Sequence, residues 1–225
     1  KEQVQGSSII RAMFEEGKKL AQIYGAENVF DFSLGNPSVP APEAVKEAII
    51  EIINNEDAMT VHGYMNNSGY EVVRAAIAAS INHKYGTAFS QDNIIMTVGA
   101  AGGINVIFKT LLNPGDEVIT FAPFFGEYRG YAANYDGKLV IVSPNTVDFQ
   151  PNLSEFREKI TPKTKAVIVN SPNNPTGVIY SEATIKTLAA ILEEKQKEYA
   201  TDIYLVSDEP YRELAYDNTE VPYLT

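Results

Sequence analysis

Between residues 94 and 206, short β-branched apolar runs alternate regularly with stretches of helical periodicity, and this constrains the fold more than any other feature of the sequence. Residues 94–98, 118–121, 139–142, 166–169 and 203–206 are predicted as strands. Each connection between them is long enough for a crossover. The clearest helix begins at Ser181, an N-cap candidate, and sets Ile185, Leu188, Ala189 and Leu192 on one face. A shorter helix is expected over 153–160, ended by Pro162. Strands almost wholly apolar and joined by helices are buried on both faces, which predicts an α/β fold: a mainly parallel sheet with helices on both faces and right-handed crossovers.

Upstream, residues 42–53 and 70–85 read as helices around an Asn- and Gly-rich segment. Residues 11–24 read as a further helix and 30–34 as a strand that ends in Gly35-Asn36-Pro37. The expected organisation is an N-terminal arm with part of a small domain over 1–41, and a large domain over 42–225.

Eighteen Lys and Arg against 29 Asp and Glu give a formal charge of −11, and no basic run is present, so a nucleic-acid surface is excluded. The sequence has no cysteine and only two histidines, His62 and His83, which removes thiolate chemistry and disulfides and leaves little for a metal site. No apolar run approaches the roughly 18 residues of a membrane span. Lys1 to Gln5 lack the apolar core of a signal peptide, and a cytoplasmic location is expected.

In open parallel sheets, ligands bind beyond the carboxyl ends of the strands. Four such loops are unusual here. Gly99-Ala100-Ala101-Gly102-Gly103 opens a helix and has the mechanics of an anion site, because small residues let backbone N–H groups approach a phosphate at the positive helix end. Taken singly it serves equally as a tight strand-to-helix turn. Its spacing departs from the dinucleotide fingerprint, and no P-loop Lys-Ser/Thr follows. Asp208, directly behind a buried strand, needs a neutralising partner: an Arg, a helix N-terminus, or the cationic ring nitrogen of a cofactor. Tyr211 can set a phenol beside the same ring, Asn174 offers an amide from a proline-framed turn, and Phe125 is a stacking platform or core. Together the four loops describe one ligand with a phosphate, an aromatic ring, a ring hydroxyl and a ring cation, which is the description of pyridoxal phosphate.

Asn170-Ser-Pro-Asn-Asn-Pro-Thr-Gly177 followed by Ser207-Asp-Glu-Pro-Tyr211 resembles the signature of the class I/II aminotransferases, fold-type I pyridoxal-phosphate enzymes of the aspartate aminotransferase kind. Leu34-Gly-Asn-Pro37, Tyr64 ahead of Ser68-Gly69, and Asn113-Pro-Gly-Asp-Glu-Val118 extend the likeness over residues 30 to 217. The resemblance implies that backbone amides of Gly99, Ala100 and Ala101 hold the cofactor phosphate and that Phe125 stacks on the ring. It implies further that Asn174 and Tyr211 bond the 3-oxygen and that Asp208 pairs with the ring nitrogen. Gly35, with Asn174, would serve the substrate carboxylate, and Tyr64 would reach the phosphate of a neighbouring subunit, hence a homodimer. Amino acids and 2-oxo acids would be the substrates. Two departures stand out: Ala100 and Ala101 lack the polar side chains common in relatives, and Phe125 stands where Tyr or Trp is frequent. The family's Schiff-base lysine lies beyond the Asp-x-x-Tyr segment, and none of the lysines here occupies a matching position. The sequence is therefore expected to be the N-terminal portion of such an enzyme, inactive by itself. A lyase or synthase of the same fold, and a non-catalytic α/β module binding a phosphorylated ligand, remain open alternatives.

Overall fold

A computed structural model of the chain describes residues 2–32, 35 and 39–224, with side chains from residue 12 onward. The chain divides into two compact units, one of residues 1–79 with 90–95 and the other of 80–89 with 96–225.

In the second unit the apolar runs form four parallel strands: β1 (Glu117–Phe121), β2 (Lys138–Val142), β3 (Thr164–Asn170) and β4 (Tyr204–Asp208), in the order β2-β1-β3-β4. Side chains alternate across a strand. On β3, Ala166 and Ile168 pack with Ile104, Phe108, Tyr128 and Ala132, whereas Val167 and Val169 pack with Phe156, Leu188, Ile191 and Leu192. The first set belongs to helices α5 (Gly99–Leu111) and α6 (Tyr128–Ala133), the second to α7 (Leu153–Lys159) and α8 (Glu182–Tyr199). Helices therefore cover both faces, as the apolar strands require. Ser181 caps α8 as expected, its Oγ accepting from the Thr184 N–H at 3.1 Å.

Two predicted strands are corrected. Residues 94–98 join no ladder, Val98 being a bend, and Ile95 and Val98 are 63% and 94% exposed. The apolar, β-branched composition suits a strand, but a strand exists only where a partner supplies the matching N–H and C=O groups, and among the described residues none does. The sheet accordingly has four strands where five were expected. Residues 30–32 likewise form no strand, and the rest of that predicted element, with most of Leu34-Gly-Asn-Pro37, lies outside the described residues.

The first unit is helical: α1 (Glu2–Tyr24), α2 (Glu43–Asn55), the short α3 (Ala58–His62), and the start of α4 (Glu71–Tyr85), whose end belongs to the second unit. Buried Arg74 ties α4 to its surroundings, donating to the carbonyls of Gly69 at 3.1 Å and Gln91 at 2.7 Å. No helix among the described residues is long and apolar enough to cross a membrane.

Beyond β4 the chain is secured by Arg212. Its guanidinium grips both Glu209 carboxylate oxygens at 2.7 and 3.0 Å and donates to the carbonyls of Val221 at 2.8 Å and Pro222 at 2.6 Å. It also lies 5.3 and 5.1 Å from the rings of Tyr85 and Tyr223, which stack on each other at 4.0 Å.

Leu188 is wholly buried between α8 and the sheet. Leu188→Ala should cost about 2–5 kcal/mol in urea unfolding. Val147→Ala, at a position 92% exposed, should change stability by less than about 0.5 kcal/mol.

Candidate active site

The strand register brings the site together. Asn170 and Asp208 end adjacent parallel strands as paired residues, so their loops start side by side. Asn170 is buried and satisfies both ends of its amide: Nδ2 donates to the Asp208 carbonyl at 2.8 Å, and Oδ1 accepts from the Asn174 N–H at 2.6 Å. Asn173 braces the same loop, its Oδ1 accepting from the N–H and hydroxyl of Thr176 at 3.1 and 2.7 Å. Gly177 closes the turn at φ 75°, a left-handed conformation suited to glycine. Held from both sides, Asn174 directs its Nδ2 to the Tyr211 hydroxyl at 3.2 Å.

After β1 the chain turns through Pro123 into α6. Phe125 meets the Tyr128 ring edge-on, with centroids 5.7 Å apart and planes at 83°. Tyr128 is fully buried, and its hydroxyl donates a close hydrogen bond to Asp208 Oδ2. Asp208 Oδ1 makes no hydrogen bond to the described residues. The helix α5 begins at Gly99, with φ 67°, and no side chain caps its first turn. The Gly99 N–H itself donates to the Thr97 carbonyl at 3.0 Å, so the free first-turn donors begin at Ala100.

These elements enclose a cavity of about 230 Å³ whose wall includes Ala100, Ala101, Phe125, Asn174, Asp208 and Tyr211, all six expected from the sequence. Gly99 stands at the start of the same helix. Tyr128, Tyr131, Glu127 and Asn170 also line it and were not singled out. Tyr128 follows the Phe124-Phe125 pair closely in an aromatic-rich run, and Asn170 is the amide that ends the apolar run 166–169. Those were the available signals. Gly35 and Tyr64 belong to the first unit and are exposed, and every residue lining the cavity belongs to the second. A wider hollow of about 500 Å³ beside Lys165, Lys197 and Asp202 is open to solvent.

Burial raises the Asp208 carboxyl above its ordinary value, the Tyr128 bond opposes that rise, and neighbouring Glu209 adds to it. Burial and the bond to Asp208 push the Tyr128 hydroxyl far up, so it stays a neutral donor. Tyr131 is raised by burial and by donating to Glu127 Oε2 at 2.7 Å. Among the described residues no three His, Cys, Asp or Glu side chains converge as a metal site requires. What remains is an uncapped helix N-terminus for an anion, an aromatic wall, an amide–phenol pair and a half-buried carboxylate.

The chain as a whole has relatives among known proteins. Residues 27–224 match the family model for aminotransferase class I and II. An aspartate aminotransferase from Thermotoga maritima is 32% identical over 209 residues, 92% of this chain and 53% of that protein. Among solved structures, an aminotransferase from Eubacterium rectale superposes with a TM-score of 0.93 at 46% identity, over 96% of this chain and 55% of that one. The aspartate aminotransferase of Thermus thermophilus with maleate gives 0.83 at 31%, over 99% and 56%. The chain thus spans about half the length of the relatives it matches. On the family model and on these likenesses together, the chain belongs to the class I and II aminotransferases.

Proposed function

We propose that the whole protein is a pyridoxal-phosphate-dependent aminotransferase that moves an amino group between an amino acid and a 2-oxo acid. One observation carries the reading: a half-buried carboxylate, Asp208, with one oxygen held by Tyr128 and the other turned to no described partner, in the wall of a cavity that also has an uncapped helix start. A cationic ring nitrogen relieves the burial of such a carboxylate, and a phosphate suits the helix end. The residues present therefore fit the cofactor.

In this reading the Ala100 and Ala101 amides hold the phosphate at the turn made by Gly99, whose own N–H is spent on the Thr97 carbonyl, and Phe125 packs on the ring. Asn174 and Tyr211, already bonded to each other, orient the ring oxygen. Asp208 keeps the ring nitrogen protonated. When bound, the cofactor accepts electron density from the substrate α-carbon as its proton departs. The preorganised carboxylate lowers the cost of that charge because it is fixed before reaction begins. No lysine of this sequence is assigned the Schiff-base role. Gly35 is assigned to the substrate carboxylate together with Asn174, and Tyr64 to the phosphate of a neighbouring subunit in a cytoplasmic homodimer. Residues 1–41 are assigned to an arm and part of a small domain, and 42–225 to the cofactor-binding domain. The names of the relatives make aspartate the first amino donor to try.

The full-length protein should transfer the amino group of aspartate or alanine to 2-oxoglutarate, and Asp208→Ala should lower kcat/KM by about 100-fold or more. A β-elimination or condensation product in place of transamination would move the assignment to a lyase or synthase of the same fold.

A raised Asp208 pKa also has a sign. The stability contributed by the protonated form is present at low pH and is lost as pH rises through the folded-state value. Asp208→Asn should therefore melt higher than the parent in the cofactor-free protein at neutral pH. The difference should shrink as pH falls into the carboxylate range, as differential scanning fluorimetry across pH will show.

A further inference from the structure

We propose that Tyr128 is a positioning residue for the cofactor: through its hydrogen bond to Asp208 Oδ2 it holds that carboxylate ionised and turned so that Oδ1 is left for a ring nitrogen. The inference rests on the proposed pyridoxal-phosphate reading and deepens it. The geometry behind it is specific. The Tyr128 ring is wholly buried, packed edge-on by Phe125 and lying nearly parallel to Phe124 at 6.4 Å and 9°, so the hydroxyl has little freedom to point elsewhere. Asp208 is fixed from behind as well, its carbonyl accepting from Asn170. The titratable groups around these two side chains are Glu209, which follows Asp208, Tyr131, which interacts with both, Tyr211, which acts on Tyr128, and Glu127, which lines the same cavity and accepts from Tyr131; none of these is a cation. With no positive charge acting on it among the described residues, the half-buried carboxylate depends on this phenol for its ionised form. A hydroxyl that donates to a carboxylate favours the charged state over the protonated one.

The test is pyridoxal phosphate affinity as a function of pH in the full-length protein, measured by equilibrium dialysis. An ionised Asp208 pairs with the protonated ring, so binding weakens as pH falls through the Asp208 titration. In Tyr128→Phe, which keeps the buried ring, that acid limb should move to higher pH by about one unit, with about threefold weaker binding midway between the two midpoints, a ratio that grows toward about tenfold below both, and converging curves above both. Ionisations of the cofactor itself are common to both curves and cancel in their difference. In an Asp208→Asn background the same Tyr128→Phe change should alter affinity by less than about twofold, because the bond it removes acts only through the carboxylate. Site-specific 3-fluorotyrosine at position 128, a stronger donor of nearly the same shape, should move the limb the other way and needs no repacking. An equal loss of affinity at every pH, or a loss that persists in the Asp208→Asn background, would show a merely structural role and overturn the proposal. Absence of pyridoxal phosphate binding by the parent protein would overturn the cofactor reading, and this inference with it.

Discussion

The second unit depends on β3. Like β1 it has a parallel neighbour on each side and a helical layer on each face, and it alone joins β1 to the site-bearing β4; every residue from Ala166 to Asn170 is buried. A strand so enclosed has no tolerance for unpaired polar groups along its length. Polarity is therefore confined to its two ends, Thr164 and Lys165 at the start and Asn170 at the finish, where Asn170 spends both sides of its amide on the two neighbouring loops. The conformation of the Asn173–Gly177 turn and the direction of Asn174 follow from that one buried amide. The adjacent strand delivers Asp208 to the same level through register alone.

Around this frame the site is a case of deliberate local discomfort. A half-buried carboxylate at the end of the edge strand β4 is unfavourable without a cation, and the described groups acting on it supply only a phenol donor and a further negative charge. Natural proteins keep such strain where it is relieved by a ligand. The cavity walls sort by chemistry: small residues and backbone at the α5 end, rings along the side, neutral amide and phenol opposite, and the carboxylate at the strand terminus. Metal chemistry has little to work with, since two histidines and no cysteine are spread over the whole sequence.

Much of this was legible in the residues. Four strands announced themselves as β-branched runs, Ser181 marked a helix start, and the loops after the strands named six wall residues, because topology fixes where the carboxyl ends of parallel strands lie. The failures have physical causes. Residues 94–98 share the composition of the true strands, but pairing is a property of two segments, and one segment's composition reports only a suitability for burial. The helix over 128–133 is too short for periodicity to reveal. Tyr128 was passed over because its importance lies in a bond to a residue 80 positions away, which no local pattern encodes. Asn170 was read as part of a motif, and its task of joining two loops emerges only when β3 and β4 lie side by side.

Arg212 spends its donors unevenly. Two bonds go to the Glu209 side chain, but the other two go to main-chain carbonyls of Val221 and Pro222. A carbonyl is present whatever residue stands at the position, so this fastening imposes almost nothing on the identity of residues 221 and 222. The burden of specificity falls instead on Tyr85 and Tyr223, whose stacked rings flank the guanidinium. Across diverging homologues, positions 221 and 222 should drift freely while the arginine, its glutamate and the two aromatic positions change together or not at all.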